Sequence, residues 1–495
     1  MQTIGKRTLL ADIIEYAPAH VLPAILAIVF LPVITRFLSP DEFGYYSLVI
    51  TLVTLVNSVT SWVGISVIRF YYSFNGTEQN ANFRNAVFIS LLLTTLVTGL
   101  FLYTLLVLLK HSVQAVLVRS FAIGIMLIVV NTLYDTFQSF LRAKRLTRLY
   151  SLFSVIKVGG GWLLGIVLMT ILALRVEALL LGALLVTSLV SFSLLLFQNK
   201  EIGFSITRSS LEIIREMFKY SYPLIIGNLS AWLLSSSDRY ILQVYRGAYE
   251  VGLYSVSYRV SESTILLLNS LFAFAFNPLV IMVWEKQGEA SAKYFLETGT
   301  RYYILLCLPA VVGLSIIQRP LLAFLAPQEY GEAAFVLPWV TFGVFLLGLF
   351  QRFGVGFSLY KYTAPSGLGL LVAGILNVCM NLVFVPRFGF KAAAVTTTLS
   401  YLFLLGWGVV FSRRLFVWRF PWDSLSKALL ACLGMGGVVY LFLNFTQITS
   451  PILVLLVAVL SGAITYSFLL LLLNEIKPEE FKILLNILEQ KFTHL

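Results

Sequence analysis

RNAVFISLLLTTLVTGLFLYTLLVLL, residues 84–109, carries one charged side chain, Arg84, at its first position. Crossing the hydrocarbon core takes about 20 mainly apolar residues in a helix, so this stretch reads as a membrane span. The same criterion predicts about fourteen spans along the chain. Twelve lie at roughly 13–37, 43–68, 84–109, 116–141, 150–174, 177–198, 217–240, 250–276, 294–317, 333–357, 362–385 and 390–411. Two more follow at roughly 426–445 and 450–473. Composition agrees: of 495 residues 59% are hydrophobic and 12% charged, where a soluble domain holds roughly 25% charged residues. Phe, the dominant aromatic, suits a lipid-facing surface, and Tyr and Trp suit the two water interfaces. The expected fold class is an all-α polytopic membrane protein.

Other classes are excluded on residues. Lys6 and Arg7 precede the first apolar run, but no short apolar core ends in a small-residue cleavage site, so that segment reads as a retained span. The net charge of +12 comes from residues scattered among short loops, which argues against nucleic acid. Cys307, Cys379 and Cys432 sit in apolar runs as packing residues. His20, His111 and His494 are isolated, so no metal site is expected. No glycine-rich phosphate loop precedes a Lys-Ser/Thr pair, and Gly159-Gly160-Gly161 lies inside an apolar span. The widest polar stretches, near 70–83, 199–216 and 284–293, are too short for a catalytic domain, and neither enzyme activity nor a cofactor is expected.

Lys and Arg favour one set of alternate loops more than twofold, which predicts both termini in the cytoplasm of an inner membrane. Lys477–Leu495 reads as an amphipathic helix on the membrane surface, with Phe481, Leu484, Leu485 and Leu488 opposite Lys482, Glu489 and Lys491. The chain divides into residues 1–200, 201–415, two further spans over 416–475, and the tail 476–495.

The first two blocks repeat. Tyr16-Ala17-Pro18 resembles Ser221-Tyr222-Pro223, and Arg36-Phe37 resembles Arg239-Tyr240. Glu42-Phe43-Gly44-Tyr45-Tyr46-Ser47 resembles Glu250-Val251-Gly252-Leu253-Tyr254-Ser255, and Arg175 and Arg387 each precede the last span of their copy. Six spans per copy put both in the same orientation, related by an axis along the membrane normal with a cavity between them.

Charges inside spans cost about 2.5–3.5 kcal/mol on insertion scales and face water or a partner. The interior candidates are Asp12, Glu15, Asp135, Lys157, Asp238, Arg239, Arg259, Glu262 and Arg352. Arg259 and Glu262 share a helix face, either as an ion pair or with the cation turned to a central cavity. Lys157, Arg352 and Arg69 read either as cavity cations or as residues anchored at the interface. Asp135 pairs locally with nearby basic residues, or joins Glu262 and Asp238 as a candidate for ion coupling. Pro18, Pro23 and Pro32 in the first span and Pro223 in the seventh permit kinks, static or gating.

Asn377-Val378-Cys379-Met380-Asn381 through Val385-Pro386-Arg387-Phe388-Gly389-Phe390-Lys391 to Thr396-Thr397-Thr398-Leu399-Ser400-Tyr401 resembles the helix eleven–twelve junction of bacterial polysaccharide exporters, the Wzx-like O-antigen flippases of the multidrug/oligosaccharidyl-lipid/polysaccharide superfamily. Residues 38–47 and 138–150 are similar to two other junctions of that family. The resemblance implies two six-helix lobes around a cavity, alternating access, and an undecaprenyl-diphosphate-linked oligosaccharide as cargo. A cationic cavity then suits a diphosphate, to which Arg offers several donors. Twelve helices plus two also resemble the lipid II flippases, in which the extra pair forms a groove for the lipid tail. The dense Arg run of their first two helices is missing here, with only Arg36 and Arg69 present. A cation-coupled drug antiporter would want acidic residues deep in one lobe, and a membrane sugar polymerase would want a long periplasmic loop. The expected partners are the lipid-linked substrate, membrane lipid and other polysaccharide assembly proteins, with the protein working as a monomer.

Overall fold

The computed structural model describes residues 2–476 except 112, 113, 173, 199–204, 206, 447 and 449, with side chains from Pro18 onward apart from His20, Leu271, Phe274 and Ala275. The amphipathic tail and the side chains of Asp12, Glu15 and His494 lie outside the described residues.

In chain order the helices are α1 (Gln2–Phe37), α2 (Pro40–Thr60), α3 (Trp62–Phe74), α4 (Asn80–Leu109), α5 (Ala115–Ala143), α6 (Thr147–Val155), α7 (Gly161–Leu172) and α8 (Val176–Phe197). They continue with α9 (Arg208–Ser236), α10 (Asp238–Arg246), α11 (Ala248–Ser261), α12 (Leu267–Ile316), α13 (Gln318–Leu325), α14 (Val336–Leu359), α15 (Ala364–Ser412), α16 (Trp422–Phe445) and α17 (Pro451–Leu472). Wide π-helical turns, Ile156–Gly160 and Glu262–Leu266, join α6 to α7 and α11 to α12. No strand occurs among the described residues.

Ten stretches among the described residues are long and apolar enough to cross a membrane. The sequence predicts about fourteen, and the two numbers meet differently along the chain. α15 contains the expected segments 362–385 and 390–411, broken at Gly389 (φ 62°), and α12 is broken at Gly288 (φ 79°). A left-handed φ suits glycine, which lacks a Cβ, so each long helix is two helices end to end. α1 stands outside the ten, its apolar part being Val21–Phe37, and so do α9 and the expected segment 250–276. Helix ends also differ from expectation. α1 begins at Gln2, α9 at Arg208, and the polar stretch 284–293 is helical on both sides of Gly288. Hydropathy marks only the hydrocarbon-embedded part of a helix, and backbone bonding continues through the polar interface beyond it.

The turns alternate between two faces. The distal face holds the α1–α2 turn, Arg175, Gly247, the α13 region and Gly389. The proximal face holds the α3–α4 turn, Gly288 and Glu475. At the distal face α2 meets α11 backbone to backbone: a Cβ on Gly44 would overlap the Ala248 carbonyl, and one on Gly252 would overlap the Pro40 carbonyl. Each glycine thus faces the residue four before the other, the geometry of a local two-fold axis between the repeated motifs. The glutamate two residues before each glycine is a clasp. Glu42 accepts from Ser39 N at 2.9 Å in a capping box and binds Arg175 at 3.0 Å. Glu250 accepts from Phe390 N at 2.8 Å and from Arg246 at 2.7 Å.

At the proximal face Glu475 binds Arg301 at 2.7 Å and Lys427 at 3.3 Å, fastening the end of α17 to α12 and α16. Burial pushes the Glu475 carboxyl up, and the hydrogen bonds from Ser424, Arg301 and Lys427 outweigh it, holding the group below the usual carboxylate range.

Gly252→Val forces the distal ends of α2 and α11 apart. A cysteine at Ser47, which is buried, is expected to gain several-fold in labelling by a water-soluble maleimide in that background. Unchanged labelling would show that the glycine contact does not close this end.

Candidate functional site

Beneath the glycine contact lies a chamber of about 90 Å³ between α2 on one side and α9, α10, α11 and the second π turn on the other. Its lining follows the repeat. Ser47 and Ser255 each stand three residues past their glycine, Thr51 and Arg259 seven past, and Thr54 and Glu262 ten past. Those steps keep each set on one helix face. The serines match, and at the other two steps the first copy presents hydroxyls where the second presents charges, so the chamber has one neutral wall and one charged wall. Ser236 and Arg239 complete the charged side.

Arg259 reaches across the seam, its Cζ 5.3 Å from the Trp162 ring of α7. Neither Arg259 nor Glu262 has an ion-pair partner within 4.0 Å among the described residues. Arg239 is different. It pairs with Asp238 at 3.4 Å, donates to Ser235 O at 3.0 Å, and lies 4.5 Å over the Tyr258 ring. Asp238 has no exposed surface and accepts from Tyr254 Oη, from Arg239 N at 2.9 Å and from Thr397 Oγ1 at 3.4 Å. Behind it Asn377 donates to Thr397 at 3.3 Å and accepts from Asn381 at 2.9 Å. A buried charge needs this degree of pairing.

Of the four cations expected in the cavity, Arg259 lines the chamber. Lys157, in the first π turn, sits 3.9 Å from Asp135 and 3.9 Å over the Tyr134 ring, inside the first half. The partner of Asp135 is therefore this lysine rather than the basic run after α5. Arg352 is 1% exposed and caged by Tyr303, Phe272 and Phe276 at 5.0, 5.1 and 5.5 Å, with Asn269 Oδ1 at 3.3 Å. Arg69 is exposed on α3, 5.6 Å from the Phe70 ring and 5.8 Å from that of Tyr220. Among the expected coupling groups, Glu262 lines the chamber, Asp238 adjoins it and Asp135 lies apart. Pro18 and Pro23 are half-buried within α1 and Pro223 exposed within α9, and both helices run on past them.

Tyr254, Thr397, Asn377 and Asn269 escape a search confined to charged residues. Uncharged amides inside apolar spans are also costly to leave unpaired, and that signal would have found the asparagines.

Residues 33–335, more than half of the chain, match the family model described as polysaccharide biosynthesis protein. The chain belongs to that family. The "Probable low-salt glycan biosynthesis flippase Agl15" of Haloferax volcanii is 21% identical over 58% of this chain and 60% of its own length. The curated relatives matched by this polysaccharide biosynthesis protein are spanned over 42–60% of their lengths. Among solved structures, a lipid II flippase MurJ in an inward closed conformation superposes with a TM-score of 0.75 at 16% identity, over 93% of this chain and 98% of that one. An inward-facing MATE family multidrug resistance transporter gives 0.65 at 13% identity, over 79% and 94%. These likenesses show an all-helical, MATE-like fold.

Asp238→Asn keeps hydrogen-bonding capacity but strips Arg239 of its counter-charge. The expected loss is about 3–5 kcal/mol, read as a fall in thermal midpoint of the detergent-purified protein. Asp238→Asn with Arg239→Met is expected to recover part of it, and a double variant no better than the single would show that the two charges are not coupled.

Proposed function

We propose that the protein is a flippase that moves an undecaprenyl-diphosphate-linked oligosaccharide across the inner membrane by alternating access, supplying repeat units for O-antigen, exopolysaccharide or capsule. The observation carrying this reading is Arg259, a guanidinium without an ion-pair partner among the described residues, set at the seam of two pseudo-equivalent halves. A diphosphate cannot enter hydrocarbon without donors and counter-charge, and a guanidinium offers both. The family and the fold support the reading, as does the Agl15 relative's printed role.

The greasy tail is assigned to an apolar groove of about 300 Å³ between α12 and the pair α16–α17, walled by Ala310, Gly313, Val439 and Gly462. In this scheme residues 1–200 and 201–415 are the two rocking lobes, 416–475 the tail platform and 476–495 a surface helix. The glycine contact shuts the distal, periplasmic end. Pro18, Pro23 and Pro223 are the bending points of the gating helices. Lys157 and Arg69 join the cargo path when the lobes rearrange, and Arg352 acts on it from behind, through Asn269. Asp238 and Glu262, beside Arg259, are the groups through which an ion gradient drives return, with Asp135 a lesser candidate. The working unit is a monomer, met by other polysaccharide assembly proteins at the membrane.

Cells lacking the protein are expected to accumulate lipid-linked glycan on the cytoplasmic face. Arg259→Ala, present in the membrane at wild-type amounts, is expected to restore less than a tenth of export. Full export with this variant would sink the assignment. In the same cells a C-terminal green fluorescent protein fusion is expected to fluoresce and a C-terminal alkaline phosphatase fusion to be inactive, and the reverse pattern would overturn the orientation.

A further inference from the structure

Leu266 at the end of the second π turn, and Asn269, Ser270, Ala273 and Asn277 of α12 beyond it, run along a cavity of about 340 Å³ with Gln351 of α14 on the other side. Steps of three and four keep these residues on one helix face. That face lies toward the proximal end from Arg259. Eleven residues separate Arg259 from Ser270, roughly 16 Å of helix. The cavity is within the size range of small-ligand sites, about 300–1,000 Å³.

Its polar groups are neutral, and several are free. Asn277 and Gln351 are exposed to the cavity and have no hydrogen-bond partner among the described residues. Asn269 is 1% exposed, and its orientation is dictated from behind. Arg352 can only donate, so the Asn269 oxygen must face the Arg352 nitrogen 3.3 Å away. The Asn269 amide nitrogen is then left as a donor without a hydrogen-bond partner among the described residues, at the wall of the cavity. Arg352 is held to this task by its aromatic cage and has no carboxylate within 4.0 Å among the described residues. It is a positioning residue, and its charge does not line the cavity.

We infer that this cavity is a carbohydrate subsite, in which Asn269, Asn277 and Gln351 bond the hydroxyl or acetamido groups of a sugar while Leu266 and Ala273 cover its C–H face. Neutral donors and acceptors beside apolar walls match a pyranose. A phosphate would find no cation in this lining, and an apolar ligand would leave the amides unpaired, which a polar site rejects strongly. The inference rests on the lipid-linked oligosaccharide reading: the diphosphate sits at Arg259 and the glycan runs along α12 toward the proximal face.

The test uses the full-length purified protein and two probes, bare undecaprenyl diphosphate and the lipid-linked oligosaccharide fraction extracted from cells lacking the protein. Asn277→Ala with Gln351→Ala alters cavity-exposed side chains that hold nothing else in place. It is expected to weaken the glycan-bearing lipid at least tenfold and to leave the bare lipid within twofold of wild type. Equal affinity of variant and wild type for the glycan-bearing probe, or equal losses for both probes, overturns the subsite. Arg259→Ala is the separate arm and is expected to weaken both probes. If it changes neither while the double variant still discriminates, the subsite stands and the phosphate assignment falls. If the wild type binds neither probe, the lipid-linked reading and the subsite fall together.

Discussion

A charge in hydrocarbon has to be paired, wrapped or wetted, and the interior of this protein is arranged around that requirement. Lys157 and Asp135 pair within the first half, and Asp238 and Arg239 pair within the second. Arg352 is wrapped by three aromatic rings. Arg259 and Glu262 are left to the chamber that they line between the halves. The structure thus separates charges that hold a lobe together from charges left available at the seam. The sorting is spatial, since residues of both kinds occur within helices of similar apolarity.

This separation explains what could be read from the chain. The spans were legible because lipid imposes one length and one composition on a spanning helix. The repeat was legible in Glu42-Phe43-Gly44 and Glu250-Val251-Gly252 because the backbone contact at the two-fold axis tolerates only glycine on either side. The helix ends were not, because helices outlast their apolar stretch at the interface. The fate of each charge was not either. Whether Lys157 meets Asp135 or a cavity depends on which helix packs against the π turn at Ile156–Gly160. Arg352 looked like any other intramembrane arginine until Phe272, Phe276 and Tyr303 converged on it. Asp238 and Arg239 stood out as charges, but the Tyr254, Thr397 and Asn377 that complete their network come from distant segments and carry no charge.

The distal and proximal faces are fastened differently. Distally the two halves meet through bare backbone at Gly44 and Gly252 and through neutral hydrogen bonds from Thr35 to Leu325 O and from Tyr330 to Leu38 O, contacts that hold no charge and can part without leaving an ion stranded. The polar clasps Glu42–Arg175 and Glu250–Phe390 lie within the halves beside it. Proximally Glu475 ties α17 to α12 and α16 with charge-assisted bonds, which stabilises the C-terminal helices as part of the second half. The ion pairs named here lie inside one half or the other, and the hydrogen bonds that cross the distal seam are neutral.

An unvaried repeat about the two-fold axis would give a vestibule with identical walls, and the presence of Thr51 and Thr54 where the other copy has Arg259 and Glu262 removes that symmetry. A vestibule with identical walls would accept a guest in either of two poses half a turn apart. Here only one pose brings an anionic group to the guanidinium. An anionic guest in this chamber would therefore be indexed on arrival, by a mark that is covalently part of one half alone.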